Sequence, residues 1–394
     1  MPLSHEIQNL LLILLVVWGV GLAFRQLRLP LLLGELLAGL LFGPALFGLF
    51  QDTETVRILA ELGIFFLMLH AGLETEPEQL LKASKQGLAI ALAGMVLPLL
   101  LGTGIGLAFG ATMMQSLFIG MGMSITAISV TVKIFKDFNF NDRRIMNLVM
   151  AAALADDILA FVLVSVVLTV ATAGALAPLD TFLVILKVAG FFATIIFVGG
   201  WLLRPIFRRF FATLGGTAFP LTIILGLFFG LVAEKLGIHY VIGAYLAGLF
   251  MKKDYINPAV FERIDDRLSA LAYGFLGPIF FVSLGFSVEF ATFAEPSSFL
   301  FLVAILAASI VGKVVGSGGV AMMSGSSWRE SAVIGLAMNG RGAVELILAT
   351  IGLEAGIITQ EIFSILVFMA FFTTFITPIA FKFLVREDGK IITA

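Results

Sequence analysis

Two adjacent aspartates, Asp156 and Asp157, interrupt an otherwise apolar stretch of the chain, AAALADDILAFVLVS. The nearest charged residues along the sequence are Arg144 and Asp180, each several helical turns away. A carboxylate in apolar surroundings must find a counter-charge on another segment, hold a proton or bind a cation. The pair therefore predicts proton or cation binding, and we interpret it as functional rather than as a brace for the fold.

Lys313, in the stretch GKVVGSGG, is the basic side chain best placed to pair with one aspartate. Gly312 and Gly316 flank it at the small-xxx-small spacing that lets another helix approach closely. One lysine cannot neutralise two carboxylates, and adjacent helical positions point about 100° apart. We expect one aspartate to face the lysine and the other a cavity, where a proton and a cation would compete. Such competition, combined with alternating access, is antiport.

Two apolar segments carry interruptions that would supply oxygen ligands. The first, MGMSITAISVTVKIF, contains the hydroxyl side chains of Ser124, Thr126 and Ser129. The second, LAMNGRGAVELIL, contains Asn339 and Arg341 beside two glycines. Hydroxyls and the carbonyls of unwound helix suit sodium or potassium. We predict that one of the two aspartates ligates the metal ion together with hydroxyls of the first interruption, Thr126 foremost.

The polar groups of these segments lie at similar depths. Counted from the nearest polar boundary residue, Asp156 and Arg341 lie roughly 18 Å deep, Lys313 roughly 22 Å and Thr126 roughly 10 Å. A bilayer core is about 30 Å thick, so these groups fall near its middle. Arg341 and Glu345, four residues apart, either form a pair within one helix or set the electrostatics of the second interruption.

The composition is that of a helical membrane protein. Of 394 residues, 60% are hydrophobic and 13% charged, and apolar runs long enough to cross a bilayer recur throughout. The absence of cysteine excludes disulfides and thiolate metal sites, and the three histidines are far apart in sequence. No cofactor is predicted, and a net charge of −2 gives no indication of nucleic-acid binding.

Thirteen hydrophobic segments define an all-α membrane protein surrounded by lipid. They lie near residues 5–24, 30–49, 56–73, 87–109, 114–134, 144–173, 179–203, 218–235, 238–251, 268–289, 298–323, 330–352 and 361–384. With this number of crossings, 19 of the 24 lysines and arginines fall on one side and two, Arg57 and Lys235, on the other. The remaining three, Lys187, Lys313 and Arg341, lie inside segments. The positive-inside rule then places the N-terminus outside and the C-terminus in the cytoplasm of a plasma (inner) membrane protein.

Thirteen segments suggest two six-helix halves in an inverted-topology repeat. The first repeat would occupy residues 1–178, a linking seventh helix 179–213, and the second repeat 214–394. The interrupted segments, the fifth and the twelfth, occupy corresponding positions in the two halves. Interruptions at matched positions are a sequence indication of a transport site.

Other functions remain open from the residues alone. A cation channel would need a continuous pore with weak, repeated sites, whereas a deep carboxylate paired with a lysine favours an occluded site. An organic-anion symporter would place a substrate carboxylate near two aspartates that repel it. An ATP-driven pump or other enzyme is not predicted, because no Gly-rich loop ending in Gly-Lys-Ser/Thr occurs.

Several stretches together resemble the bacterial monovalent cation:proton antiporters, which include NapA-type sodium/proton exchangers and Kef-type potassium systems. They are LRLPLLLGELLAGLLFGP, ELGIFFLMLHAGLE, MGMSITAISVTVKIF, LADDILAF, VIGAYLAGLF, GPIFFVSLGFSV, GKVVGSG and NGRGAVELILA. The resemblance implies thirteen helices with two broken, crossing helices, a core domain moving against a dimerisation domain, and a homodimer.

The resemblance also implies roles for individual residues. In NapA-type members the aspartate pair marks electrogenic exchange, so that Asp156 would bridge to Lys313 and Asp157 would bind the ion and the proton. Thr126 and Ser129 match the break that helps to coordinate the ion. Kef-type members typically carry glutamine at the first aspartate position and add a cytosolic nucleotide-binding domain. Asp156 therefore favours the sodium-type interpretation, with potassium/proton exchange as the alternative.

Overall fold

The structure is a computed structural model of the chain. It describes residues 3–27, 29–75, 85–173, 217–236, 238–251, 256–385 and 389–392, together with residues 182, 186 and 190. Apart from an isolated bridge that pairs Val385 with Ile391, the secondary structure in this part of the chain is helical. The prediction of an all-α protein is confirmed.

The helices before the gap at residue 174 belong mostly to long apolar segments. They are α1 (Leu3–Gln26), α2 (Leu31–Phe42), α3 (Glu54–Glu74), α4 (Lys85–Ala108), α5 (Met113–Ser124), α6 (Ile128–Asp137) and α7 (Arg143–Ala173). After residue 216 follow α8 (Ala218–Lys235), α9 (Tyr240–Phe250), α10 (Pro258–Leu271), α11 (Gly277–Phe286), α12 (Pro296–Met323), α13 (Trp328–Ala337), α14 (Ala343–Glu354) and α15 (Gln360–Lys382). A π-helical turn, Ala272–Leu276, joins α10 to α11, and a 3-10 turn, Phe290–Ala294, precedes α12.

Eight helical spans in the described residues are long and apolar enough to cross a membrane. The ranges Leu31–Phe42 and Tyr240–Phe250 are shorter apolar helices. Each predicted segment except the seventh contains a helix, and the predicted linking helix 179–213 lies outside the described residues apart from three isolated positions. The chain is thus a multi-pass membrane protein by length and composition.

The predicted start of the tenth segment, near residue 268, is wrong. The helix begins at Pro258, where Asn257 Oδ1 accepts a hydrogen bond from the backbone N–H of Ala259 at 3.0 Å. It continues through the π-helical turn to Phe286. Its first turns read PAVFERIDDRL, and these charges lower the local hydropathy below that of a membrane segment. Periodic packing, with Val260, Phe261 and Ile264 buried, favours helix there nonetheless.

Both interrupted segments divide into two helices, as predicted. Helix α5 ends at Ser124 and α6 begins at Ile128, whereas α13 ends at Ala337 and α14 begins at Ala343. Each first half starts with a capping box, in which the cap side chain and the side chain three residues later satisfy one another's backbone N–H. Thr112 and Gln115 form it in α5, and Ser327 and Glu330 in α13.

The chain forms two compact units. One comprises Met1–Asp52, Gln79–Ala160 and Phe281–Ala394, and the other Thr53–Glu78 and Phe161–Phe280. In the second unit, the backbones of α3 and α9 touch: a Cβ added at Gly72 would lie 1.9 Å from the carbonyl oxygen of Tyr245. The first unit contains both interrupted helices, Lys313 and the aspartate pair, so that all the candidate site residues share one unit.

Within the first unit, α4 and α12 pack along a seam of small residues. A Cβ at Gly316 would lie 2.6 Å from the carbonyl oxygen of Ala93, and one at Gly94 would lie 2.1 Å from Ser317 Oγ. The close approach expected from the spacing of Gly312 and Gly316 is therefore present, and Lys313 lies within the seam.

We expect Gly316→Ala to lower the thermal unfolding midpoint by several degrees, because its methyl group would meet backbone that cannot move aside; overpacking costs about 1–3 kcal/mol. The matched control is Gly319→Ala on the same helix, where an added Cβ meets nothing within 4 Å. Alanine favours helix over glycine, so the control should unfold at the same temperature or slightly higher. Unfolding of the purified protein in detergent measures both, and equal midpoints for the two variants would contradict the seam.

Candidate functional site

Helix α12 carries Lys313 into the interior of the first unit, where its side chain is wholly buried. The Nζ atom donates a hydrogen bond to Asp156 Oδ2 at 3.0 Å, and a second to the backbone carbonyl of Ser124. Asp156 is buried as completely, so this ion pair is shielded from water. Removing either partner of such a buried ion pair strongly destabilises a protein, because the other charge is then left buried and unpaired.

Asp157, the next residue on α7, is in a different environment. Its side chain is half-buried, and its Oδ1 atom is buried without a hydrogen-bond donor among the described residues. Adjacent helical positions point about 100° apart, and the two aspartate side chains accordingly lie in different surroundings. Asp156 also keeps one buried oxygen, Oδ1, without a donor, but Lys313 balances its charge. No fixed cation pairs with Asp157 within the described residues, so its carboxylate is the one that a proton or cation could occupy.

Fixed cations hold the end of α5. The carbonyl groups in the last turn of a helix have no partner within the helix and form the negative end of its dipole. Here Arg341 donates to the carbonyls of Met123 and Ile125, and Lys313 donates to that of Ser124. The sequence suggested that carbonyls of this break ligate the transported cation, but positive side chains of the protein already occupy these three.

Hydroxyl and backbone groups tie the two breaks together. Thr126 is buried and donates from Oγ1 to the carbonyl of Met338 at 3.0 Å, and Thr131 donates to that of Ala337 at 2.7 Å. The backbone N–H of Ala127 donates to the carbonyl of Gly340 at 2.9 Å. The breaks therefore contact one another directly, with the Thr126 hydroxyl at their junction.

Two other predicted hydroxyls contribute differently. Ser124 is buried, but its hydroxyl donates back to the carbonyl of Met121 in its own helix at 2.7 Å. Such back-bonding is common for serine in helices and leaves the oxygen turned away from a cavity. Ser129 lies on α6, and its side chain is outside the described part of the structure.

The second break is held by threonines of α15 that sequence reasoning missed. Asn339 donates to Thr377 Oγ1 at 3.1 Å. Thr374 both accepts from the backbone N–H of Arg341 at 2.9 Å and donates to its carbonyl at 3.0 Å. The signal in the sequence is the run FFTTFITP, which places hydroxyls on one face of an otherwise apolar helix.

Arg341 is fully buried and makes more contacts than an intrahelical pair with Glu345 would provide. Besides the two carbonyls at the end of α5, it donates to Ser309 Oγ on α12 at 2.7 Å. Its Nε lies 3.7 Å from Glu345 Oε2, close enough for an ion pair but too long for a hydrogen bond. The predicted pair within one helix is therefore wrong, because Arg341 lies in the break before α14. The ion pair with Glu345 forms across the end of the break, and Arg341 places a positive charge between the two interruptions.

Five ionisable side chains form what we call the buried charge cluster: Asp156, Asp157, Lys313, Arg341 and Glu345. If every member is ionised, three acids face two bases and the cluster carries one net negative charge. An uncompensated charge is costly in a medium of low polarity. One proton or one monovalent cation restores neutrality, so the arrangement can exchange one for the other.

Comparison with known proteins places the chain in a family. The family model for the transmembrane sodium/hydrogen exchanger matches residues 10–387. The Na(+)/H(+)-K(+) antiporter GerN of Bacillus cereus is 31% identical over 367 residues, which cover 93% of this chain and 92% of GerN. An Na(+)/H(+) antiporter of Enterococcus hirae is 28% identical over 386 residues, which cover 97% of this chain and 99% of that protein.

The fold agrees with this placement. The structure of the sodium proton antiporter MjNhaP1 from Methanocaldococcus jannaschii superposes with a TM-score of 0.72 at 19% identity, covering 97% of both chains. At that identity the superposition shows a common fold. The chain therefore belongs to the sodium/hydrogen exchanger family, whose members are membrane antiporters that exchange monovalent cations for protons.

Proposed function

We propose that the chain carries out electrogenic sodium/proton exchange, with the proton and the cation competing for Asp157. One observation carries this proposal: Lys313 holds Asp156 in an ion pair at 3.0 Å, whereas the adjacent Asp157 has neither an ion pair nor a donor to its buried Oδ1 among the described residues. Because the charge cluster needs one further positive charge, loss of a proton from Asp157 favours uptake of a cation. Alternating access then exposes the same site to each side of the membrane in turn.

Asp157 and the hydroxyl of Thr126 are the proposed cation ligands. Thr126 donates its only hydroxyl hydrogen to the backbone carbonyl of Met338, and the lone pairs of its oxygen stay available to a cation. A carboxylate and a hydroxyl suit a hard monovalent cation. Ser129, which neighbours the same break, is a further candidate ligand.

Electrogenic exchange requires unequal numbers of protons and monovalent cations per cycle, and the proposed ratio is two protons for one cation. We assign the second proton to Lys313, whose ammonium would release it when Asp156 turns towards the bound cation. Two protons against one sodium ion then move one net charge per cycle. A pH difference of one unit contributes about 1.36 kcal/mol per proton, and a membrane potential contributes about 2.3 kcal/mol per charge per 100 mV.

Potassium is the second candidate cation, because the name of GerN includes potassium and this relative aligns over most of the chain. A cation channel is less consistent with a carboxylate and a lysine paired in a fully buried position, since conduction needs weak and repeated sites. Measuring proton flux with one cation supplied at a time distinguishes these alternatives.

The proposed architecture has thirteen membrane helices in two inverted repeats, residues 1–178 and 214–394, joined by a helix in 179–213. The matched capping boxes of Thr112–Gln115 and Ser327–Glu330, each opening a broken helix, support the repeat. The distribution of lysine and arginine supports an outer N-terminus and a cytoplasmic C-terminus in the plasma (inner) membrane. Assembly as a homodimer rests on the family resemblance.

Asp157→Asn is expected to abolish cation-driven proton movement in proteoliposomes, because an amide carries no negative charge: it neither takes up a transported proton nor neutralises a bound cation. The measurement is lumenal pH after addition of sodium, potassium or lithium across an imposed pH step. The matched control is Asp142→Asn, the same change at the start of the same helix, where asparagine caps as well as aspartate. Exchange that survives in Asp157→Asn at the wild-type rate would refute the assignment.

Lys313→Gln is expected to keep some exchange but to lose its dependence on membrane voltage, since the second proton carrier is gone. Proteoliposomes clamped with valinomycin and potassium gradients report the rate at each voltage. Lys382→Gln, at the exposed end of α15, serves as the control and should respond to voltage like the wild type. A wild-type voltage response in Lys313→Gln counts against its role as a proton carrier.

A further inference from the structure

Glu345 is, besides Asp157, the acid of the charge cluster whose carboxylate receives no hydrogen bond from the described residues. Its side chain is 1% exposed. Neither carboxylate oxygen accepts a hydrogen bond from any residue that the structure describes. Buried carboxylates are normally held by several donors, and one without them is costly in its ionised form. The geometry therefore favours a group that takes up a proton.

Arg341 is the only ion-pair partner of Glu345 within the described residues, and its donors are directed elsewhere. The two terminal nitrogens donate to the carbonyls of Met123 and Ile125 and to Ser309. Its Nε, at 3.7 Å from Glu345 Oε2, makes no hydrogen bond. The guanidinium is therefore anchored in place whether or not Glu345 is ionised, and the carboxyl group is free to change its protonation state.

The elements packed against α14 bring little other charge to Glu345. Helix α5, Met113–Ser124, contains no ionisable side chain. Helix α15 faces the break with Thr374, and its charged residues, Glu361 and Lys382, lie at its two ends. On α14 itself the other acid is Glu354, at the exposed last position of the helix. Arg341 is thus the dominant charge beside this carboxyl group, and Lys313 on α12 is the second basic side chain that acts on it.

A short series of contacts links Glu345 to the aspartate pair. Arg341 contacts Glu345 on one side and Ser309 on the other. Ser309 and Lys313 are four residues apart on α12 and so share one face of that helix. Lys313 in turn holds Asp156, the neighbour of Asp157. A change of charge on Glu345 therefore acts on Asp157 through a region that contains little water to screen it.

We propose that Glu345 is a second proton-binding site, distinct from Asp157, and that its protonation sets the cation affinity of Asp157. When Glu345 is ionised, it offsets the charge of Arg341 and the cluster favours a cation at Asp157. When Glu345 binds a proton, the cluster is already neutral with Asp157 ionised, and the charge of Arg341, which Glu345 no longer offsets, repels that cation. Cation binding is thereby strengthened on the alkaline side and weakened on the acidic side. The proposal rests on Asp157 as the cation site.

Titration of the carboxyl group itself is the first test. Infrared difference spectra of the wild-type protein between acidic and alkaline pH should contain the carbonyl stretch of a protonated carboxylic acid that disappears in Glu345→Gln. Glu354→Gln, on the same helix, should keep it. If the spectra of Glu345→Gln and wild type are the same, Glu345 does not titrate and the proposal is wrong.

Transport kinetics give the second test. In proteoliposomes, the wild-type KM for sodium should fall as pH rises. Glu345→Gln imitates the protonated form, so its KM at alkaline pH should rise on the order of tenfold, as expected for nearby charges at an effective dielectric constant of about 20. Its KM should also lose most of its pH dependence, while Glu354→Gln behaves like the wild type. An unchanged KM profile overturns the proposal.

The two proposals can fail separately. If Asp157→Asn retains exchange, the cation site lies elsewhere, and the infrared band still decides whether Glu345 binds a proton. If Asp157→Asn is inactive but Glu345→Gln keeps the wild-type KM profile, only the role of Glu345 is lost. Should Glu345→Gln not fold, Glu345→Asp replaces it: a titrating band at a shifted pH supports the proposal, and a band and a KM profile identical to wild type contradict it.

Discussion

The buried charge cluster contains more acidic than basic side chains, and the rest of the structure depends on this excess. Three acids and two bases are gathered in one compact unit, and four of the five, Asp156, Lys313, Arg341 and Glu345, are almost completely buried. Were the bases as numerous as the acids, the cluster would be neutral and would attract no further cation. With one acid in excess, some positive species has to be present, and exchange between two such species is the natural behaviour of the arrangement.

The interrupted helices make this cluster possible. A broken helix leaves carbonyl and N–H groups without partners in the interior, and these must be satisfied locally. Lys313 and Arg341 satisfy the end of α5, while Thr374 satisfies both backbone groups of Arg341. The same cations thus serve the backbone and balance the carboxylates, so the fold and the proposed cation site depend on one set of contacts.

Much of this could be predicted from the sequence, because charges and glycines inside apolar runs have few explanations. The aspartate pair, Lys313 and both interruptions stood out for that reason. The partners of the breaks were harder to predict. The run FFTTFITP marks hydroxyls in an apolar helix, but such hydroxyls usually bond to their own backbone, as that of Ser124 does, so the run does not indicate that Thr374 contacts Arg341. Hydropathy also misplaced the start of the helix at Pro258, whose first turns are charged.

The carbonyls at the end of α5 are held by side chains that never leave the protein. In a structural metal site, such as a zinc finger, the ion itself holds the ligands together, and removing it unfolds the domain. Here Arg341, which holds two of these carbonyls and carries no transported proton, is covalently part of the chain, and the junction of the two breaks does not need the cargo to keep its shape. A carrier built this way survives being emptied in the middle of every cycle, which is the condition for releasing what it has bound.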